Sequence, residues 1–193
     1  MMADELCYGD LGSYGQKLTP TPNLDRLPAE GTKFTQFYSG STVCAPSRCA
    51  LMTGKDMGHS YIRGNKETPL RESDITIPKL AKKKGYVTGM FGKWGLGLEN
   101  NTGSPDKQGW DEFLGYLHHR HAHNFYVKNL WETRDGKTFP HPMDTTQNTA
   151  PYIFNAALKF VREHKSHPFL LYVPMTLPHA EMTIPTREAI VPF

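Results

Sequence analysis

Residues 152–173 constrain the fold more than any other stretch of the chain. Ile153, Ala156, Ala157, Phe160 and Val161 recur at helical spacing up to residue 164. After Ser166, His167 and Pro168 comes Phe169-Leu170-Leu171-Tyr172-Val173, apolar without a break. A run of that length with no polar alternation fits a parallel strand covered on both faces. Residues 174–178 then open a loop. The same order occurs earlier. Ile75-Thr76-Ile77-Pro78 leads into a helix over 79–84, with Gly85 as its C-cap. Residues 86–91 read as a short buried strand that feeds Gly92-Lys93-Trp94-Gly95-Leu96-Gly97, a loop of little bulk. Two helix-then-strand units predict the α/β class with a mostly parallel central sheet. Open sheets of this kind bind ligands beyond the carboxyl ends of their strands, and Lys93 and His179 follow such ends.

The rest of the chain adds bounds. Its 193 residues suit one domain with a sizeable core. A net charge of +3 is too mild to argue for a nucleic-acid partner. No run is long and apolar enough for a membrane span, and the opening MMADELCYGD shows no signal peptide. Three cysteines make no disulfide framework. Residues 21–27 predict a short helix opened by Pro22, cut by Pro28 and ended by Gly31. Residues 33–38 read as strand-like. Residues 100–142, rich in Gly, His and aromatics, show no clear period and predict a long ordered excursion.

The chemistry concentrates in VCAPSRCALMTG, residues 43–54. Pro46 suits the first helical turn, residues 47–53 supply about two turns, and Gly54 caps them. Cys44 therefore sits at the mouth of a helix N-terminus, where free N–H groups and the helix dipole favour an anion. Arg48 in the first turn has a guanidinium fork suited to oxyanion oxygens. Cys, Pro and Arg alone equally describe a buried thiol beside a structural arginine. A cysteine-phosphatase loop fits less well, because Pro46 removes one backbone donor.

The full string Cys44-x-Pro46-Ser47-Arg48-x-x-Leu51-x-Thr53-Gly54 resembles, at every fixed position, the signature of the type I sulfatases. Four further stretches resemble the family in order. These are the metal loop from Asp4 to Gly15, residues 21–27, Gly92-Lys93-Trp94-Gly95-Leu96-Gly97, and Leu177-Pro178-His179-Ala180. The resemblance implies an alkaline-phosphatase-like sandwich, incomplete here, with its first strand and C-terminal part missing, so that residues 1–193 form a truncated N-terminal catalytic domain. It implies that a maturation enzyme converts Cys44 to Cα-formylglycine, whose hydrate attacks the sulfur of a sulfate ester. Arg48, Lys93 and His179 become catalytic residues, with Lys93 and His179 binding sulfate. Calcium becomes the cofactor, held by Asp4, Glu5 and residue 44. The substrate is a small sulfate ester or a sulfated glycan, and the location is periplasm, secretion or lysosome. The physics agrees, since charge grows on the leaving oxygen and fixed cations stabilise it.

The chain departs from the family pattern at two positions. Glu5 stands where a second aspartate is usual, and Gly95 where many members carry histidine. The missing later metal ligands predict weak or no turnover for this chain alone. His118-His119-Arg120-His121-Ala122-His123 admits three readings: a zinc or nickel site, ordinary loop imidazoles, or one wall of the substrate pocket. Two rival functions stand beside hydrolysis of sulfate esters. One is a phosphatase or phosphodiesterase of the related alkaline-phosphatase superfamily, and the other a degenerate chain that binds sulfate without cleaving it.

Overall fold

The computed structural model describes residues 1–179. Its centre is a five-stranded sheet built from β1 (Val87–Lys93), β2 (Glu112–Tyr116), β3 (Asn129–Arg134), β4 (Lys137–Pro142) and β5 (Phe169–Tyr172). The spatial order is β4-β3-β2-β1-β5. β1 pairs in parallel with β2, Gly89 opposite Glu112, and with β5, Val87 opposite Phe169. β3 is antiparallel to both β2 and β4. Four of the five strands thus run one way, as the two helix-then-strand units require.

Among the described residues four α-helices accompany the sheet: α1 (Pro22–Glu30), α2 (Cys44–Thr53), α3 (Ile77–Lys83) and α4 (Thr149–His164). Side chains on β1 alternate between two cores, as strand geometry dictates. Met90 joins Ala45, Cys49 and Met52 of α2, together with Ile62, Leu70 and Trp94. Phe91 joins Ile153, Ala157 and Phe160 of α4. The sheet is therefore covered on both faces, in an α/β sandwich. Each fully buried apolar side chain contributes about 1.5–3 kcal/mol. The chain start is tied to the segment after β5 by an isolated bridge. Met2 bridges Pro174 in parallel, and Asp4 N–H donates to the Leu177 carbonyl at 3.2 Å.

Four local expectations change. Residues 33–38 form bends, not a strand, with Phe34, Phe37 and Tyr38 exposed. Pro28 lies inside α1, which continues to Glu30; only its final turn is affected. β1 runs on to Lys93, because Gly92 and Lys93 keep pairing with Gly115 and Tyr116. Residues 100–142 hold three strands, with Asp135 and Gly136, both at positive φ, forming the tight turn between β3 and β4. That Asp-Gly pair is the strongest short hairpin signal available, and Pro140 and Pro142 suit β4 to an edge.

Candidate active site

Cys44 is the first residue of α2 and Arg48 follows one turn later, so both face the same side. Val43 is the N-cap and offers no side-chain cap; Gly54 ends the helix with φ 68°. The helix is held rigidly, because Ala45, Cys49 and Met52 are buried. Lys93 ends β1, and His179 follows the loop after β5. The chain start brings in Asp4 and Glu5.

These residues meet at one cleft of about 350 Å³. Asp4, Glu5, Cys44, Arg48 and His179 line it. Lys93 does not reach its wall. Its ammonium is fully buried and donates to Asp4 Oδ2 at 2.6 Å. Arg48 Nη2 donates to Asp4 Oδ1 at 3.2 Å, and Arg48 Nη1 donates to the Lys93 carbonyl. A single carboxylate thus bridges two buried cations. Burial alone would raise the Asp4 pKa, but Arg48 and Lys93 outweigh it and hold the carboxyl below its usual 3.8. Arg48 Nε is buried without a partner. The Asp4–Arg48–Lys93 cluster carries a surplus positive charge behind the cleft, and the Glu5 carboxylate on the wall offsets it.

Asn65, Ser39, Ser41 and Thr42 of the wall escaped sequence reasoning, and of the histidine run read as one possible wall, His119 and His123 are the members that line the cleft. Asn65 lies in a loop with no periodicity to mark it. The histidine run was visible, but not which members turn inward. His119 lies in a turn and His123 ends a three-residue 3-10 helix, so no helical spacing marks them as a pair. His121 instead sits edge-on to Tyr116, and His118 Nε2 lies 2.9 Å from Glu67. His123 stacks on His179 with centroids 4.1 Å apart, while His179 Nε2 lies 3.4 Å from Glu5 Oε1. Burial, then His118 and Lys93, push His119 down to about 4, so it is neutral at pH 7. Burial, then His179, lower His123 as well.

Calcium needs six to eight oxygen ligands. The cleft offers the carboxylates of Asp4 and Glu5, and both oxygens of Asp4 already face cations. Among the described residues no group of three His, Cys, Asp or Glu is gathered to hold a metal. These residues alone do not fit a calcium shell. The histidine run forms no metal cluster among them either. Ala180, the last residue of the His179 motif, lies outside the described residues.

The family model for the sulfatases matches residues 1–189. The chain belongs to the sulfatase family. This sulfatase is 34% identical over 203 residues to N-acetylgalactosamine-6-sulfatase of Homo sapiens, covering 93% of this chain and 39% of the relative. It is 32% identical over 212 residues to an arylsulfatase of Hemicentrotus pulcherrimus, covering 94% and 37%. The chain spans about two fifths of the length of these relatives. Among solved structures, Ps i-CgsB superposes with a TM-score of 0.78 at 30% identity, over 97% of this chain and 46% of the other. BT4656, in complex with its substrate D-glucosamine-2-N,6-O-disulfate, gives 0.78 at 27%, over 94% and 34%. The alkaline-phosphatase-like sandwich expected from the sequence is therefore the fold.

Proposed function

We propose that this chain carries the sulfate-binding half of a sulfuric ester hydrolase acting on a sulfated glycan or smaller sulfate ester. The observation that carries the reading is the meeting of Cys44, Arg48, Asp4 and His179 around one cleft, with Lys93 behind it. Residues 1–193 act as part of a catalytic domain. A formylglycine-generating enzyme reads the Cys44-x-Pro46-Ser47-Arg48 segment and, using an external oxidant, converts the Cys44 thiol to an aldehyde with loss of its sulfur. Water adds to the aldehyde to give a geminal diol; one hydroxyl attacks the ester sulfur as the alcohol leaves, and loss of a proton from the other re-forms the aldehyde and releases sulfate.

The chain's own residues do the rest. The α2 N-terminus and Arg48 hold the sulfate oxygens and offset the charge that grows in the transition state. Lys93 keeps Arg48 and Asp4 in register from behind and adds its charge through the buried cluster. His179, set by its stack on His123, gives a proton to the departing alcohol oxygen. His119, neutral, adds a wall without adding charge. Calcium belongs to this reading only with oxygen ligands beyond Asp4 and Glu5, and no step above passes through it. BT4656 is bound to a sulfated sugar, and Ps i-CgsB is also solved with k-i-k-neocarrahexaose, which favours a glycan for this chain. The reading places the protein in periplasm, lysosome or secretion.

The test has two arms. Mass spectrometry of the peptide containing residue 44, after co-expression with the maturation enzyme, should show a loss of about 18 Da, and a hydrazine reagent should add to the aldehyde, with no iodoacetamide-reactive thiol left at that position. Hydrolysis of aryl and glycan sulfate esters should then be weak or absent in the 193-residue chain. An unaltered thiol sinks the formylglycine reading, and robust calcium-dependent turnover sinks the expectation of weak activity. A second reading, sulfate binding without turnover, is favoured by the two carboxylates where calcium needs more.

A further inference from the structure

The mouth of α2 has an unmet need. Helix N-termini leave backbone N–H groups free, and Val43 supplies no side-chain cap. Pro46 has no N–H, and Ser47 N–H already reaches the Val43 carbonyl at 3.2 Å. The N–H of Ala45 is satisfied from twenty residues downstream, by Asn65 Oδ1 at 2.9 Å. That contact fixes the orientation of the amide. A backbone N–H needs an oxygen, so Oδ1 faces Ala45 and leaves Nδ2 free to donate elsewhere. Nδ2 lies 3.3 Å from Cys44 Sγ, within donor reach of sulfur, while the Cys44 thiol lies 3.6 Å from Oδ1, so the amide meets the side chain of residue 44 through both its atoms.

Asn65 is an exposed residue, so its amide gains nothing from being held unless something holds it. The loop that carries it is pinned at both ends. Ile62 and Leu70 are buried in the same core as Ala45, Cys49 and Met52 of α2. Arg63 ties the loop back on itself through Ser60 O at 3.0 Å and Gly58 O at 2.7 Å. Helix and loop thus share one rigid support, the condition for holding a reacting group in one rotamer.

We propose that Asn65 is the positioning residue of position 44. Its oxygen caps α2 while its amide donates to the side chain that reacts. The role in sulfate transfer rests on the function proposed above; the contact itself does not. An oxygen at residue 44 is a better acceptor for Nδ2–H than sulfur, so the same donor selects one orientation of the matured side chain. A cap with no such role predicts that only the Ala45 amide responds to change at Asn65.

The experiment uses the whole unmodified chain, labelled with nitrogen-15. Cys44→Ala should shift the Asn65 side-chain amide resonances while Ala45 exchange stays slow. Asn65→Ala should speed Ala45 amide exchange about fivefold, the loss of one hydrogen bond. Asn65→Asp keeps an oxygen at the helix N-terminus but has no donor. It should leave Ala45 protected, and Asn65→Ala, which removes the donor without adding charge, should slow iodoacetamide alkylation of Cys44 at pH 7 about fivefold. Asn65 resonances indifferent to Cys44→Ala, or alkylation of Asn65→Ala at the wild-type rate, would overturn the proposal. The aldehyde content of residue 44 is measured separately. Its absence sinks the formylglycine reading, while the amide and alkylation data still decide the Asn65 contact.

Discussion

Asp4→Asn is the most informative single change. Asp4 is 9% exposed at its side chain and offsets one of the two positive charges of Arg48 and Lys93, which are 2% and 0% exposed. Asparagine keeps the shape and one acceptor oxygen but removes the charge. Two buried cations then face each other with no negative charge between them. Breaking one side of a buried ion cluster costs about 3–5 kcal/mol. At about 2–4 °C per kcal/mol for a chain of this size, the midpoint of thermal unfolding should fall by about 6–20 °C. Far-ultraviolet circular dichroism at pH 7 in the presence of a chelator reads it. Asp4→Asn with Lys93→Met should recover part of the loss, because the second change removes one stranded cation, and the coupling should be about 1–3 kcal/mol. The pH dependence has a definite sign. The folded Asp4 pKa lies below its ordinary 3.8, so its contribution is present above that value and lost as pH falls through the lower folded one. The gap between wild type and variant should therefore close below about pH 4. A variant melting within about 2 °C of wild type at pH 7 would refute the argument that Asp4 offsets the charge of the cluster.

Other changes test other parts. Gly92→Ala would place a Cβ 2.1 Å from the Pro174 carbonyl oxygen at φ 136°, so it should cost more than about 3 kcal/mol and leave little folded protein by sedimentation. The Cβ of Gly95→Ala would meet only Arg48 Cδ at 3.6 Å, but φ is 77°; the fold should survive with a loss of about 1–2 kcal/mol in urea midpoint analysis. Asp74 is buried, which raises its pKa, yet Arg71 more than compensates. Its stabilisation should vanish as pH falls below about 4, and Asp74→Asn should flatten the acid limb of a urea midpoint against pH series. Calcium added to the described set of ligands should raise the melting midpoint by less than about 2 °C at millimolar concentration, as differential scanning fluorimetry would show.

Legibility in the sequence followed how local the cause was. α4 and β5 were readable because each buries a continuous face, giving a clean 3.6 period and then an unbroken apolar run. β2 was hidden, because Glu112-Phe113-Leu114-Gly115-Tyr116 is short and contains the glycine that lets two backbones approach. β3 and β4 lacked alternation, yet the Asp135-Gly136 turn between them was a local signal available to be read. At the site, Cys44, Arg48, Asp4 and His179 were legible through one resemblance that fixed their order along the chain. Asn65 was not, nor was the choice of His119 and His123 from the histidine run, because what places them is contact across the fold. The inward position of Lys93 was equally invisible, since only the pairing with Tyr116 carries β1 that far.

Met2 N–H to the Val173 carbonyl at 2.9 Å and Met175 N–H to the Met2 carbonyl at 2.8 Å fix where Asp4 stands. The consequence lies in time. Asp4 is synthesised long before residues 173–177, so on the ribosome it has no seat until nearly all of the described chain has emerged. Contacts of such sequence separation close late and slowly. The carboxylate that tames Arg48 and Lys93 therefore arrives last, and the nascent chain must carry both cations unneutralised until then.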